Sequence, residues 1–194
     1  AMIIVDEAHS FGMYGPKGVG ICAELGLLDR VDFVVGTFSK SLGGVGGFCV
    51  SRHPEFELLR LGSRPYIFTA SPPPPVIAAA RAALARLLRG DDLRAQLWKN
   101  IERFNSAVKR LGYRTGSNDP GPVTALVFNE RADAIAHWQG LLDAGIYTNL
   151  MVPPATPAGL NIVRISLSAA HTDAQISRMI EAFEQLAARF KPAA

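Results

Sequence analysis

At 194 residues, 48% of them hydrophobic, the chain can bury a sizeable core as one domain or two small ones. Its net charge of +3 comes from 20 basic and 17 acidic residues spread along the chain, without the basic blocks that bind nucleic acid or membrane surfaces. No apolar run reaches transmembrane length and no targeting or lipidation signal stands out, so the reading is a cytoplasmic protein.

The chain opens on "AMIIVDEAH", already inside an apolar strand pattern, and so reads as part of something longer. Met2 to Val5 predicts a strand ending at Asp6, and "SFGMYGPKGVG" predicts a long loop. Ala23 to Leu28 suits a short helix, followed by a strand from Val31 to Thr37, a loop "FSKSLGGVGG" and a third strand "FCVS". Three strands so joined suggest part of a mostly parallel or mixed sheet. Cys22 and Cys49 lie in apolar surroundings without CxxC spacing and are expected as small core residues in a reducing compartment.

Pro54 suits the first turn of a helix running to about Gly62. "SRPYIFTASPPPP" is expected to be extended, because each proline removes a donor and biases its predecessor away from the helical region. Helical spacing resumes in "VIAAARAALARLLRG", and Asp91 or Asp92 can cap a long helix whose Leu93, Leu97, Ile101, Phe104, Val108 and Leu111 share a face. Beyond Gly112 come a strand "PVTALVFN", a helix "ADAIAHWQGLLDAG", strands "IYTNL" and "LNIVRISLS", and a closing helix with the capping-box pair Thr172 and Gln175. This predicts a domain over 1–90 and a small α+β domain over 91–194.

Asp-Glu-Ala-His after an apolar strand has two readings. It is the acidic box of many nucleic-acid helicases, and it is also the cofactor turn of a pyridoxal phosphate (PLP) enzyme. The helicase reading needs a phosphate loop ending in Gly-Lys-Ser/Thr and arginine-bearing motifs downstream, and neither is found here. The second reading needs a lysine and a carboxylate facing one crevice. Lys40 follows the second strand as Asp6 follows the first, and parallel strands would bring both to one sheet edge. A lysine forms the Schiff base while an acid keeps the pyridine nitrogen protonated, so that the ring can accept carbanion electrons. His9 could bond the ring hydroxyl, Thr37 and Ser39 suit the phosphate, and the glycines around them allow close backbone approach. No metal-ligand pattern is present.

These segments, "VDEAHSFGMYGPKGVG" with "GTFSKSLGGVGGF", "RPYIFTASPPPPV" and "PPATPAGLNIVRISLSAAHT", resemble the α-oxoamine synthases among the fold-type I PLP enzymes. The resemblance spans residues 3–172 and is strongest toward the serine-using bacterial branch. It implies an α/β fold, with part of a fold-type I large domain followed by a small carboxyl-terminal domain, and reads the chain as the carboxyl-terminal half of such an enzyme. It also implies PLP as cofactor: Lys40 as the Schiff-base lysine, Asp6 on the pyridine nitrogen, His9 on the ring hydroxyl, and Thr37 with Ser39 near the phosphate. Thr69, with Ser71, would reach the cofactor phosphate of a partner subunit in a homodimer with its active sites at the interface.

The resemblance further implies that Arg164 binds the amino-acid carboxylate and that the loop from Pro153 to Pro157 covers the substrate. Val152 precedes that loop where some members have an arginine, which leaves Arg164 the candidate in this stretch. The implied reaction is decarboxylative condensation of L-serine with a long-chain acyl-CoA, with peripheral membrane association for the lipid substrate or product. Glycine- and alanine-using members share the Asp, His, Lys and Arg positions. A non-catalytic partner subunit is the alternative from another class, and the presence of Lys40 argues against it.

Overall fold

The computed structural model describes residues 1–156 and 159–190 and divides into two compact units, Ala1–Arg94 and Ala95–Ala194. In the first unit, β1 (Ile4–Asp6) lies parallel to β2 (Phe33–Thr37), and β2 lies antiparallel to β3 (Gly47–Ser51), giving a mixed sheet of order β1-β2-β3. The register pairs Asp6 with Val35. Both parallel strands therefore end on the same sheet edge, where ligands of open α/β sheets bind.

Between β1 and β2 the expected helix at Ala23–Leu28 is displaced to α1 (Ile21–Glu24), with a 3₁₀ turn at Leu28–Arg30. Gly26, at φ +66°, stops the helix from continuing to Leu28. Pro54 does open helical structure, first as a 3₁₀ turn over Pro54–Leu58 and then as α2 (Leu59–Gly62).

The expected extended run from Ser63 to Pro75 is corrected at both ends. Arg64–Ile67 forms a helical turn, α3, and α4 (Pro74–Leu87) begins on the last two prolines of the run. Proline is harmless at these positions, because the first-turn N–H groups have no intrahelical acceptor to lose. Cys49 also departs from expectation: Cys22 is buried but Cys49 is exposed. It sits on edge strand β3, where burial depends on what packs on each face rather than on the apolar run itself.

α5 (Asp91–Arg110) carries the division between the units near its start. Its buried stripe is Leu97, Ile101, Phe104 and Val108, while Leu93 is exposed. In the second unit β4 (Val123–Phe128) and β5 (Asn149–Met151) flank β6 (Asn161–Ser166), all antiparallel. α6 (Arg131–Asp143) precedes β5, and α7 (Asp173–Arg189) closes the unit. Thr172 caps α7 as the sequence predicts: Gln175 N–H donates to Thr172 Oγ1 at 3.2 Å and Thr172 N–H to Gln175 Oε1 at 2.8 Å.

Leu126, Phe128, Val163 and Ile165 from the sheet are buried, as are Phe104, Leu141, Ile176 and Phe183 from the helices. Phe104 and Phe183 meet edge to face at 5.4 Å. Asn100 ties α5 to the turn before α7, its amide donating to the carbonyls of Ser168 and His171 at 3.0 Å each.

His137 on α6 is buried among Tyr113, Phe128 and Phe190. Its Nδ1–H donates to the Asp133 carbonyl at 2.8 Å, and Nε2 has no partner among the described residues. Burial pushes its pKa below the ordinary 6.5, against the smaller opposing effect of Asp133. A depressed value means that the unfolded chain takes up a proton which the folded chain refuses, so stability is complete above about pH 6.5 and falls as the pH drops below it. Thermal unfolding between pH 7.5 and 5 should therefore show an acid-side loss that His137→Phe reduces.

Candidate active site

The site is built on the shared edge of β1 and β2. Asp6 ends β1, and its Oδ1 accepts the Ala8 N–H at 2.8 Å in the turn that carries His9. Successive strand residues point to opposite faces, so the next acid, Glu7, turns the other way and is 1% exposed. Glu7 Oε2 accepts from Ile21 N–H and Oε1 from Cys22 N–H, each at 2.8 Å, while the Ser10 hydroxyl donates to Oε2. Burial raises its pKa, but these bonds from Ser10, Cys22 and Ile21 together outweigh it and hold the carboxyl below its ordinary value.

Gly20 makes this approach possible, since a Cβ there would lie 2.5 Å from the Glu7 carboxylate and the backbone sits at φ +117°. The neighbouring Cys22 thiol is pushed up to about 11 by burial and then by Glu7, so it stays protonated at neutral pH. In the acidic box of a helicase the second acid must face nucleotide and water. Here it is bound to backbone amides.

Beyond β2 the chain turns through Ser39 and Lys40 and returns into β3. Phe38 N–H donates to Gly46 O at 2.9 Å, Gly44 N–H to Phe38 O at 2.7 Å, and Gly43 N–H to Lys40 O at 3.0 Å. Gly46, at φ +114°, supplies a backbone state that a side chain would strain. Thr37 Oγ1 and Ser39 Oγ lie 2.8 Å apart, and Thr37 Oγ1 also donates to Gly46 O at 3.2 Å. Phe48 packs between Phe11 (5.2 Å) and Phe38 (6.1 Å), bracing the segments that carry His9 and Lys40.

Asp6 and Thr37 thus end two parallel strands, His9, Ser39 and Lys40 stand on the loops just beyond them, and Asp6, His9, Ser39 and Lys40 are exposed there. Thr69 and Ser71 lie in the exposed stretch between α3 and α4. Arg164 belongs to the second unit, in central strand β6, with Asn149 opposite it on β5 and Ala125 opposite it on β4. Of the cover loop, Pro153–Thr156 form an exposed turn ending in buried Thr156, and Pro157 lies outside the described residues.

Sequence reasoning missed Glu7. The available signal was strand alternation: if Asp6 faces the crevice, the adjacent acid is driven inward and must find donors.

The donor set fits a phosphorylated, protonated heteroaromatic aldehyde: an amine, a carboxylate at a strand end, an imidazole, and a hydroxyl pair beside a glycine-rich turn. The family of class I and II aminotransferases matches residues 1–183. The chain belongs to that family, with the fold of the fold-type I enzymes. The helicase reading falls with this membership.

Within the family the chain is 46% identical over 185 residues to a serine palmitoyltransferase of Sphingomonas paucimobilis, covering 95% of this chain and 44% of that protein. A solved structure of serine palmitoyltransferase with a PLP internal aldimine matches with a TM-score of 0.93 at 45% identity, covering 97% of this chain and 48% of that one. An 8-amino-7-oxononanoate synthase of Alkaliphilus oremlandii is 33% identical, over 96% of this chain and 47% of its own length. The chain spans slightly less than half of each of these relatives.

Proposed function

We propose that this chain supplies the lysine-bearing part of a PLP-dependent α-oxoamine synthase that condenses L-serine with a long-chain acyl-CoA, releasing carbon dioxide, CoA and a 3-ketosphinganine. The observation that carries the proposal is the parallel pairing of β1 with β2, which brings Asp6 and the Thr37–Lys40 turn to one sheet edge. Similarity to serine palmitoyltransferases at 46% identity supports the choice of serine.

Bound PLP supplies an electron sink for the amino acid's α-carbanion. Lys40 would hold the cofactor covalently, and its amine would be the group placed to carry the α-proton. Asp6 would keep the pyridine nitrogen protonated, His9 would donate to the ring hydroxyl, and Thr37 and Ser39 would bind the phosphate. Thr69 and Ser71 serve the phosphate of the second copy in a homodimer. Arg164 pairs with the amino-acid carboxylate through its planar fork of donors. Among the described residues no helix is long and apolar enough to cross a membrane, and handling of the lipid substrate is assigned to peripheral association.

Borohydride reduction of the PLP-loaded protein followed by peptide mapping should label Lys40, and label on a different lysine overturns the assignment. L-serine should perturb the cofactor absorbance at millimolar concentration. The second reading, favoured by similarity to the alanine-using 8-amino-7-oxononanoate synthases, expects that response from L-alanine instead.

A further inference from the structure

We infer that Asn149 is the positioning residue for Arg164, holding its guanidinium in a fixed orientation without neutralising it; this rests on the proposed role of Arg164 in binding the substrate carboxylate. Arg164 lies in the central strand of its sheet, so its side chain has one cross-strand neighbour on each side. Directly paired residues of antiparallel strands project to the same face. On the β4 side that neighbour is Ala125, a methyl group without hydrogen-bonding capacity. On the β5 side it is Asn149, whose Oδ1 accepts from Arg164 Nη2 at 3.5 Å.

Arg164 Nε–H is buried and has no partner among the described residues. Such a donor carries a desolvation cost unless a ligand supplies the acceptor. The guanidinium is therefore steadied at Nη2 while its Nε–H stays without an acceptor among the described residues. Asn149 is itself held from behind: Trp138 Nε1–H on α6 donates to the carbonyl of the preceding residue, buried Thr148, at 3.2 Å.

The amide has a chemical logic at this position. An aspartate of similar shape would form an ion pair with Arg164 and compete with a substrate carboxylate. A neutral carbonyl oxygen orients the fork and leaves its charge for the ligand. The ligand class is thus an α-carboxylate, and Asn149 contributes to discrimination against analogues whose carboxylate is replaced by a neutral amide.

The test uses the PLP-loaded protein and compares binding of L-serine with that of L-serinamide, which lacks the carboxylate, by titration of the cofactor absorbance. Asn149→Ala should weaken L-serine about tenfold, in keeping with loss of one bond to a charged group, and leave L-serinamide within about twofold. Asn149→Asp should weaken L-serine further while leaving L-serinamide unchanged. A parallel measurement without substrate follows the Arg164 Nε–H resonance, assigned by its loss in Arg164→Lys. Its hydrogen exchange should quicken in Asn149→Ala as the side chain is freed.

Equal weakening of both ligands, or wild-type behaviour of both Asn149 variants, overturns the role of Asn149. If Arg164→Lys lowers L-serine binding selectively in the same experiment, the carboxylate assignment survives that failure. If Arg164→Lys fails to distinguish the two ligands, the carboxylate assignment itself is overturned, and the role of Asn149 with it.

Discussion

Replacing Lys40 by alanine should lower the rate of CoA release from palmitoyl-CoA and L-serine by roughly four powers of ten or more. On the proposed function two roles would be lost at one position: the covalent tether, and the amine that would carry the α-proton, for which general acid–base catalysis alone contributes about two to four powers of ten. The loop geometry supports a tether. Lys40 is exposed, its carbonyl is held by Gly43 N–H at 3.0 Å, and the turn is closed by Phe38 and Gly46, so the backbone that carries the exposed side chain is fixed.

Asp6→Asn should act on the same reaction at a different point. It preserves the shape and the Ala8 contact at 2.8 Å but cannot keep a proton on the pyridine nitrogen. A thousandfold loss, equivalent to about 4 kcal/mol, is expected. Cofactor retention, read from absorbance, separates the two variants: Lys40→Ala should still bind PLP without the Schiff-base band, while Asp6→Asn should keep that band. A Lys40→Ala protein with a tenth of the parental rate would remove Lys40 from the mechanism.

Glu7→Ala should destabilise the first unit by about 3 kcal/mol, the order expected when several bonds to a buried charged group are lost together. Ile21 N–H, Cys22 N–H and the Ser10 hydroxyl would all lose their acceptor. Glu7→Gln keeps the shape but aims an amide N–H₂ at one of those donors, for a loss of about 1–3 kcal/mol. Gly20→Ala should be damaging from the opposite side, since its Cβ would lie 2.5 Å from the carboxylate.

The pH dependence has a definite sign. The folded carboxyl titrates below its ordinary value of 4.5, so its contribution is complete above about pH 4.5 and is lost as the pH falls through the folded value. Urea unfolding midpoints at pH 7 and pH 4 should converge between parent and Glu7→Gln on the acid side. A midpoint in Glu7→Ala equal to the parent's at pH 7 would show that the turn is held by something else. Because the same turn carries His9, the destabilised variants should also bind PLP more weakly than the parent.

The features that could be read from sequence are those settled within a few residues. The capping box at Thr172 and Gln175, the strand ends at Asp6 and Thr37, and the buried stripe from Leu97 to Val108 follow from local hydrogen bonding and periodicity. The spacing of Asp6 and Lys40 also implied a shared edge, on the condition that the two strands ran parallel, and they do.

What only the tertiary structure decided depends on partners distant along the chain. The inward turn of Glu7 onto Ile21 and Cys22, the exposure of Cys49 on edge strand β3, and the pairing of Asn149 with Arg164 are matters of register and packing. The prolines before α4 show the same limit from the local side: proline forbids the interior of a helix but is accommodated in its first turn. Sequence alone nominated the chemical groups of the candidate site. Which of two adjacent acids is buried and which exposed, and which neutral residue stands beside Arg164, was decided by the sheet, because alternation and register assign every side chain to a face only once the strands are paired.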